Sequence, residues 1–103
     1  MQLTPAAAPI LTPVDFEPLI GGDFIADATP EPINLRLDQV ARPATFNPAF
    51  REPFTLIFST PWSTLLIEGN YRLRTPRGNS IELFLNPTLT PPGERRFYHA
   101  VFT

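Results

Sequence analysis

His99 is the only imidazole in the chain, and beside a carboxylate it could act as a general base. A single His in an alternating apolar run reads instead as a surface or partly packed strand residue. The acids Asp23, Asp27, Glu31 and Asp38 fall close together, but their spacing fits no calcium loop and suits solvated turns. Arg72, Arg74, Arg77, Arg95 and Arg96 could form a basic patch for phosphate, which Glu82 and Glu94 would offset. Trp62 lies in a connector, where it either anchors an interface or closes the core.

The remaining chemistry is excluded by missing residue types. There is no Cys, which removes disulfides, thiolate nucleophiles and Cys-based metal sites. All eight basic residues are Arg, so no Lys is present for Schiff-base or phosphate-loop work. No Gly-x-Ser-x-Gly elbow, Gly-rich phosphate loop or His-Glu-x-x-His helix occurs. The expectation is a protein that is not an enzyme, with no catalytic residue, cofactor or metal.

The elements that would carry these residues are short strands. Phe54–Phe58, Tyr71–Arg74, Ile81–Leu85 and Phe97–Phe102 alternate apolar and polar residues between Pro and Gly punctuation, which signals antiparallel β-structure. Asp23–Ala26 adds a short strand. Ile33–Asp38 adds another, with Ile33, Leu35 and Leu37 inward. The fold class is therefore mainly β: a small six-stranded antiparallel β-barrel or sandwich with one short N-terminal helix. Strands are expected near 23–26, 33–40, 53–59, 70–75, 80–86 and 96–102. The expected core is Phe16, Leu35, Leu37, Phe54, Leu56, Phe58, Tyr71, Leu73, Leu83, Leu85 and Phe102.

A chain of 103 residues suits one domain. Nine Phe give it an aromatic core. Pro and Gly together make about 18%, below the level of a disordered chain. The formal net charge of −2 offers no footprint for nucleic acid or an anionic membrane. No run of apolar residues is long enough for a membrane helix, and Met1–Ile10 lacks the basic start of a signal peptide. Synthesis in the cytoplasm is expected, with export only as part of a larger particle.

Residues 1–11 form an extended Pro/Ala-rich arm, and residues 12–103 a single β domain. The arm would either be a weakly ordered end or dock on its own body or on a neighbour, with Leu3, Pro5, Pro9, Ile10 and Trp62 as the expected partner contacts. Thr12 can cap a helix that places Pro13 first and Asp15 in its opening turn, with Gly21-Gly22 as its stop. Val14, Phe16, Leu19 and Ile20 would form its apolar face. Residues 42–53 read as a loop pinned by Phe46 and Phe50. Pro61–Gly69 reads as a connector over an open end of the sheet, too apolar to lie free in solvent. A three-residue loop at Arg77–Asn79 would pair Leu73 with Leu83, Tyr71 with Leu85 and Arg74 with Glu82. Gly78 or Asn79 would supply the left-handed position.

Several of these pieces occur together elsewhere. Leu11–Gly21, Arg51–Phe58, Glu68–Leu73, Ile81–Pro87 and Tyr98–Phe102, in this order, resemble an uncharacterised family of roughly hundred-residue bacterial domains. Members of that family are often encoded beside phage-tail-collar, microcystin-dependent-type proteins. The resemblance implies a role near tail-like or fibre-forming machinery and brings no catalytic residues with it. It points to a structural or interaction module whose partners are proteins, either further copies of itself or a tail-collar-type protein. The alternative is a small-ligand or lipid carrier, against which six strands and bulky inward Phe and Leu argue.

Overall fold

The computed structural model describes residues 11–28, 31–50, 52–88 and 92–102. Six strands follow a short helical turn: β1 (Asp23–Ala26), β2 (Ile33–Ala41), β3 (Phe54–Pro61), β4 (Gly69–Arg74), β5 (Ser80–Pro87) and β6 (Arg95–Phe102). They close into an antiparallel barrel in the order β1-β2-β3-β6-β5-β4. Closure gives each of these strands a neighbour on both sides and settles the choice between barrel and sandwich.

The ladder between β3 and β6 is the longest, running from Phe54↔Phe102 to Pro61↔Arg95. Two seams are narrow. Among the described residues β1 meets β4 at Ile25↔Arg74 and Ala26↔Leu73, and β5 meets β6 at Asn86↔His99 and Pro87↔Tyr98. One further backbone bond extends each seam, Asp27 N–H to Arg72 O at 2.9 Å and Thr88 N–H to Phe97 O at 2.8 Å. In β2 a bulge between Leu37 and Gln39 interrupts the alternation.

Alternation puts the expected residues inside. Leu35, Leu37, Leu56, Phe58, Leu73 and Leu85 are fully buried, and Phe24 meets Phe58 edge-on at 5.2 Å. The core also takes in Phe24, Ala26, Leu66, Tyr98 and Ala100, which lie outside the expected set, whereas Tyr71 and Phe102 are only half-buried. At one pole Phe16 packs 5.8 Å from Phe54 and 5.7 Å from Phe102, while Phe54 and Phe102 stack at 4.4 Å. The helical segment thus plugs the pole where β3 begins and β6 ends.

That segment is α1 (Pro13–Phe16) continued by a 3₁₀ turn, Glu17–Leu19. Asp15 reaches back to accept the Thr12 N–H at 2.8 Å and the Thr12 hydroxyl at 3.2 Å. Its expected apolar face is corrected: Phe16 is buried and Leu19 half-buried, but Val14 and Ile20 are exposed. Pro18 has no N–H to extend the helix, so the residues after Phe16 leave the 3.6-residue period.

Two other expectations are also corrected. In the β4–β5 hairpin Tyr71 faces Leu83, Leu73 faces Ile81 and Arg72 faces Glu82, two residues from the expected register. The three-residue loop is Pro76–Gly78, one position earlier than expected. It is closed by Gly78 N–H to Thr75 O at 2.9 Å and Thr75 N–H to Asn79 O at 2.8 Å. Pro76 suits the first corner of such a turn, and Gly78, at φ +95°, takes the left-handed position. A shift of two preserves the faces. The ion pair accordingly forms at Arg72–Glu82, 3.5 Å, rather than at Arg74.

The loop after β2 is not held by its aromatics, because Phe46 and Phe50 are exposed. Arg42 holds it instead. Its guanidinium donates to both Glu52 oxygens, at 2.8 and 2.9 Å, and to Glu17 at 3.1 Å, tying the loop's two ends to the helical segment. These hydrogen bonds, to Glu52 first and Glu17 second, raise the Arg42 pKa above its ordinary value.

Candidate interaction surface

Trp62 lies at the pole opposite the helix, directly after β3. Its backbone N–H reaches Glu94 O at 2.9 Å, and its carbonyl accepts the Arg96 Nε–H at 2.6 Å. The Arg96 guanidinium sits 3.9 Å from the centroid of the indole, a cation–π contact that fixes the ring against the start of β6. Trp62 is half-buried.

Beneath the ring the connector is locked to the barrel by buried polar contacts. Tyr98, fully buried on β6, accepts the Leu66 N–H at 3.1 Å and lies 3.2 Å from the Thr60 hydroxyl. Thr60 Oγ1 donates to Thr64 O at 3.1 Å. Diagonally across the same ladder, Arg95 donates from Nε to Ser59 Oγ at 2.7 Å and from Nη2 to Ser59 O at 3.1 Å. Each buried hydroxyl thus has a partner, as burial requires.

This lock drives Leu66 into the core and turns its neighbours outward. Leu65 is 58% and Ile67 73% exposed. Most of the connector's apolar surface therefore faces solvent, a correction to the expectation that it would be covered. Leu65 stands between two depressions. One, of about 190 Å³, is walled by Trp62, Leu65, Pro87, Arg96, Phe97 and Tyr98. The other, of about 540 Å³, runs along Glu31, Pro32, Asn34, Pro61 and Thr64. Outward-facing Phe84 on β5 and Val101 on β6 are further exposed apolar residues.

The other candidates do not converge. His99 faces outward on β6 with its Nδ1 3.1 Å from the Thr88 hydroxyl. Among the described residues no group of His, Asp and Glu is placed to hold a metal ion. The arginines separate: Arg95 and Arg96 are committed to Ser59 and Trp62, and Arg72 to Glu82. Leu3, Pro5, Pro9 and Ile10 lie outside the described residues. No helix among the described residues is long and apolar enough to cross a membrane.

Sequence reasoning singled out Trp62, named Arg96 only within a basic patch, and passed over Leu65 and Ile67. The available signal was the run Leu65-Leu66-Ile67, three consecutive apolar residues in a segment without strand or helix period.

A small closed β-barrel with a filled interior, one helical plug and an exposed apolar rim is the class of protein these features define. Within it, the chain belongs to DUF6916, a domain of unknown function, whose family model matches residues 11–102. Comparisons with the curated proteins and with the solved structures give no match.

Proposed function

We propose that this protein is a non-enzymatic structural or interaction module, a subunit or adaptor of a phage-tail-like or fibre-type assembly, that works through its surface. The observation that carries this reading is the Trp62 rim. Leu65 and Ile67 are held exposed by a connector that buried hydrogen bonds keep in place. Exposed apolar side chains on a rigid support, beside a Trp and an Arg, have the make-up of a protein contact. The barrel interior is occupied by its own Leu and Phe side chains, which favours a surface role over a carried ligand.

The tail-like setting comes from the family resemblance and from no contact in the fold. Its partners are proteins, either another copy of the chain or a tail-collar-type protein, and neither nucleic acid nor membrane. The contacts are Trp62 together with Leu3, Pro5, Pro9 and Ile10. Made in the cytoplasm, the protein leaves the cell only within a larger particle.

Light scattering on the full chain, alone and mixed with a tail-collar-type protein, tests this reading. A mass above the monomer in either sample is the expected result. A chain that stays monomeric alone and unbound in the mixture overturns the assembly role.

A further inference from the structure

The chain enters the described fold at one pole of the barrel, and the Trp62 groove opens at the other. Leu11 is half-buried beside Phe16, Leu19 and Ile81 at the helix-plugged pole. The groove is walled by Trp62, Leu65, Pro87 and Phe97 where β3 ends and β6 begins. The eight-residue β3 runs between the two poles, which are therefore about 24 Å apart.

The residues before Leu11 read Leu3-Thr-Pro-Ala-Ala-Ala-Pro-Ile10. Pro-rich segments favour the polyproline conformation, lose little entropy on docking, and bind grooves lined by aromatic rings. The Trp62 groove has the features such a segment uses. Leu65, Phe97 and Pro87 give it apolar walls, and Arg96 holds the indole in place at 3.9 Å. The indole N–H is a donor of the kind a peptide carbonyl accepts.

Reach decides which copy supplies the segment. A polyproline chain advances ~3.1 Å per residue, so Pro9 lies within about 6 Å of Leu11 and Pro5 within about 19 Å. In the same chain only Leu3, with a reach of about 25 Å from Leu11, could touch the far pole, and the Pro5–Pro9 stretch falls short of it. A second copy approaching end-on meets no such limit.

We propose that the Leu3–Ile10 segment of one copy seats in the Trp62 groove of the next, joining the copies head to tail. This inference rests on the assembly reading above and supplies its contact. Such an interface uses different surfaces on its two sides, so it makes a ring where the rotation closes and a filament where it does not.

The chain has one Trp, so its fluorescence reports on the groove directly. Sedimentation of the full chain is expected to show mass rising with concentration, with Trp62 emission shifting over the same range. Two full-length variants break the contact from opposite sides, Leu65→Asp in the groove and Pro5→Ala with Pro9→Ala in the segment. Each is expected to weaken association by about tenfold or more while keeping the parent's circular-dichroism spectrum. Mixed, they are expected to form one-to-one pairs, because one retains an intact segment and the other an intact groove. Unchanged association in either variant, no pairing in the mixture, or a parent chain monomeric throughout with constant Trp62 emission overturns the head-to-tail contact. Binding of the parent to a tail-collar-type protein is read separately, so this contact can fail while the assembly role stands.

Discussion

The Tyr98 hydroxyl accepts the backbone N–H of Leu66 at 3.1 Å, joining the interior of β6 to the connector that carries Trp62. Both residues are buried, so the bond has no water to replace it. Tyr98→Phe keeps the ring and removes the acceptor, leaving the Leu66 N–H unpaired at a cost of ~1–3 kcal/mol. In a domain of this size each kcal/mol lowers Tm by about 4–8 °C. Thermal melts followed by Trp62 fluorescence are expected to show that loss, together with an altered native emission as the connector loosens.

The strand pattern was legible in the sequence because side chains alternate with a period of two and Pro or Gly marks each end. Ile33, Leu35 and Leu37 declare β2 in this way, and the six strands end within two residues of where they were expected. Closure was not legible, because it depends on the two-pair seam between β1 and β4, strands distant in the chain. Phe24 escaped the expected core because four residues of β1 are too few to fix an inward face. The rim was hidden for a similar reason. Nothing local tells which of Leu65, Leu66 and Ile67 a buried Tyr98 will draw inward.

Gly78 and Gly22 fail differently when a methyl group is added. Gly78 has open space around it but sits at φ +95°, so Gly78→Ala strains the backbone at a cost of about 1 kcal/mol or more. At Gly22 a Cβ would lie 2.8 Å from Pro76 Cγ and 3.0 Å from the Leu19 carbonyl oxygen. Gly22→Ala must push the β4–β5 hairpin away from the helical plug. Denaturant unfolding is expected to show a loss for both. Only Gly22→Ala is expected to raise amide exchange at Leu11 and Phe16 as well.

Arg42 predicts a salt-dependent effect. Its bonds to Glu52 and Glu17 are exposed, so Arg42→Ala is expected to lower Tm only slightly. That difference is expected to vanish near about 1 M NaCl, where screening acts within a few Å. Limited proteolysis is the sharper measurement. With both ends of the loop released, cleavage around Phe46 and Phe50 is expected to quicken several-fold at low salt.

Phe58 and Phe84 test the filled interior directly, because they are the same residue on opposite faces of the barrel wall. Phe58 is fully buried, edge-on to Phe24, whereas Phe84 is 43% exposed on β5. Phe58→Ala removes a ring from the centre of the core, and such changes cost ~3–5 kcal/mol, much of the ~5–15 kcal/mol that holds a typical domain together. Phe84→Ala is expected to change stability by no more than about 0.5 kcal/mol. The cavity left in Phe58→Ala is lined by Leu and Phe and is expected to stay dry, so it should take up a small apolar probe such as benzene. Thermal shift with benzene is the measurement: a gain in Tm for Phe58→Ala and none for the parent. A parent that itself gains stability from benzene would mean that its interior has room for a ligand, and would turn the reading of this barrel from a scaffold toward a carrier.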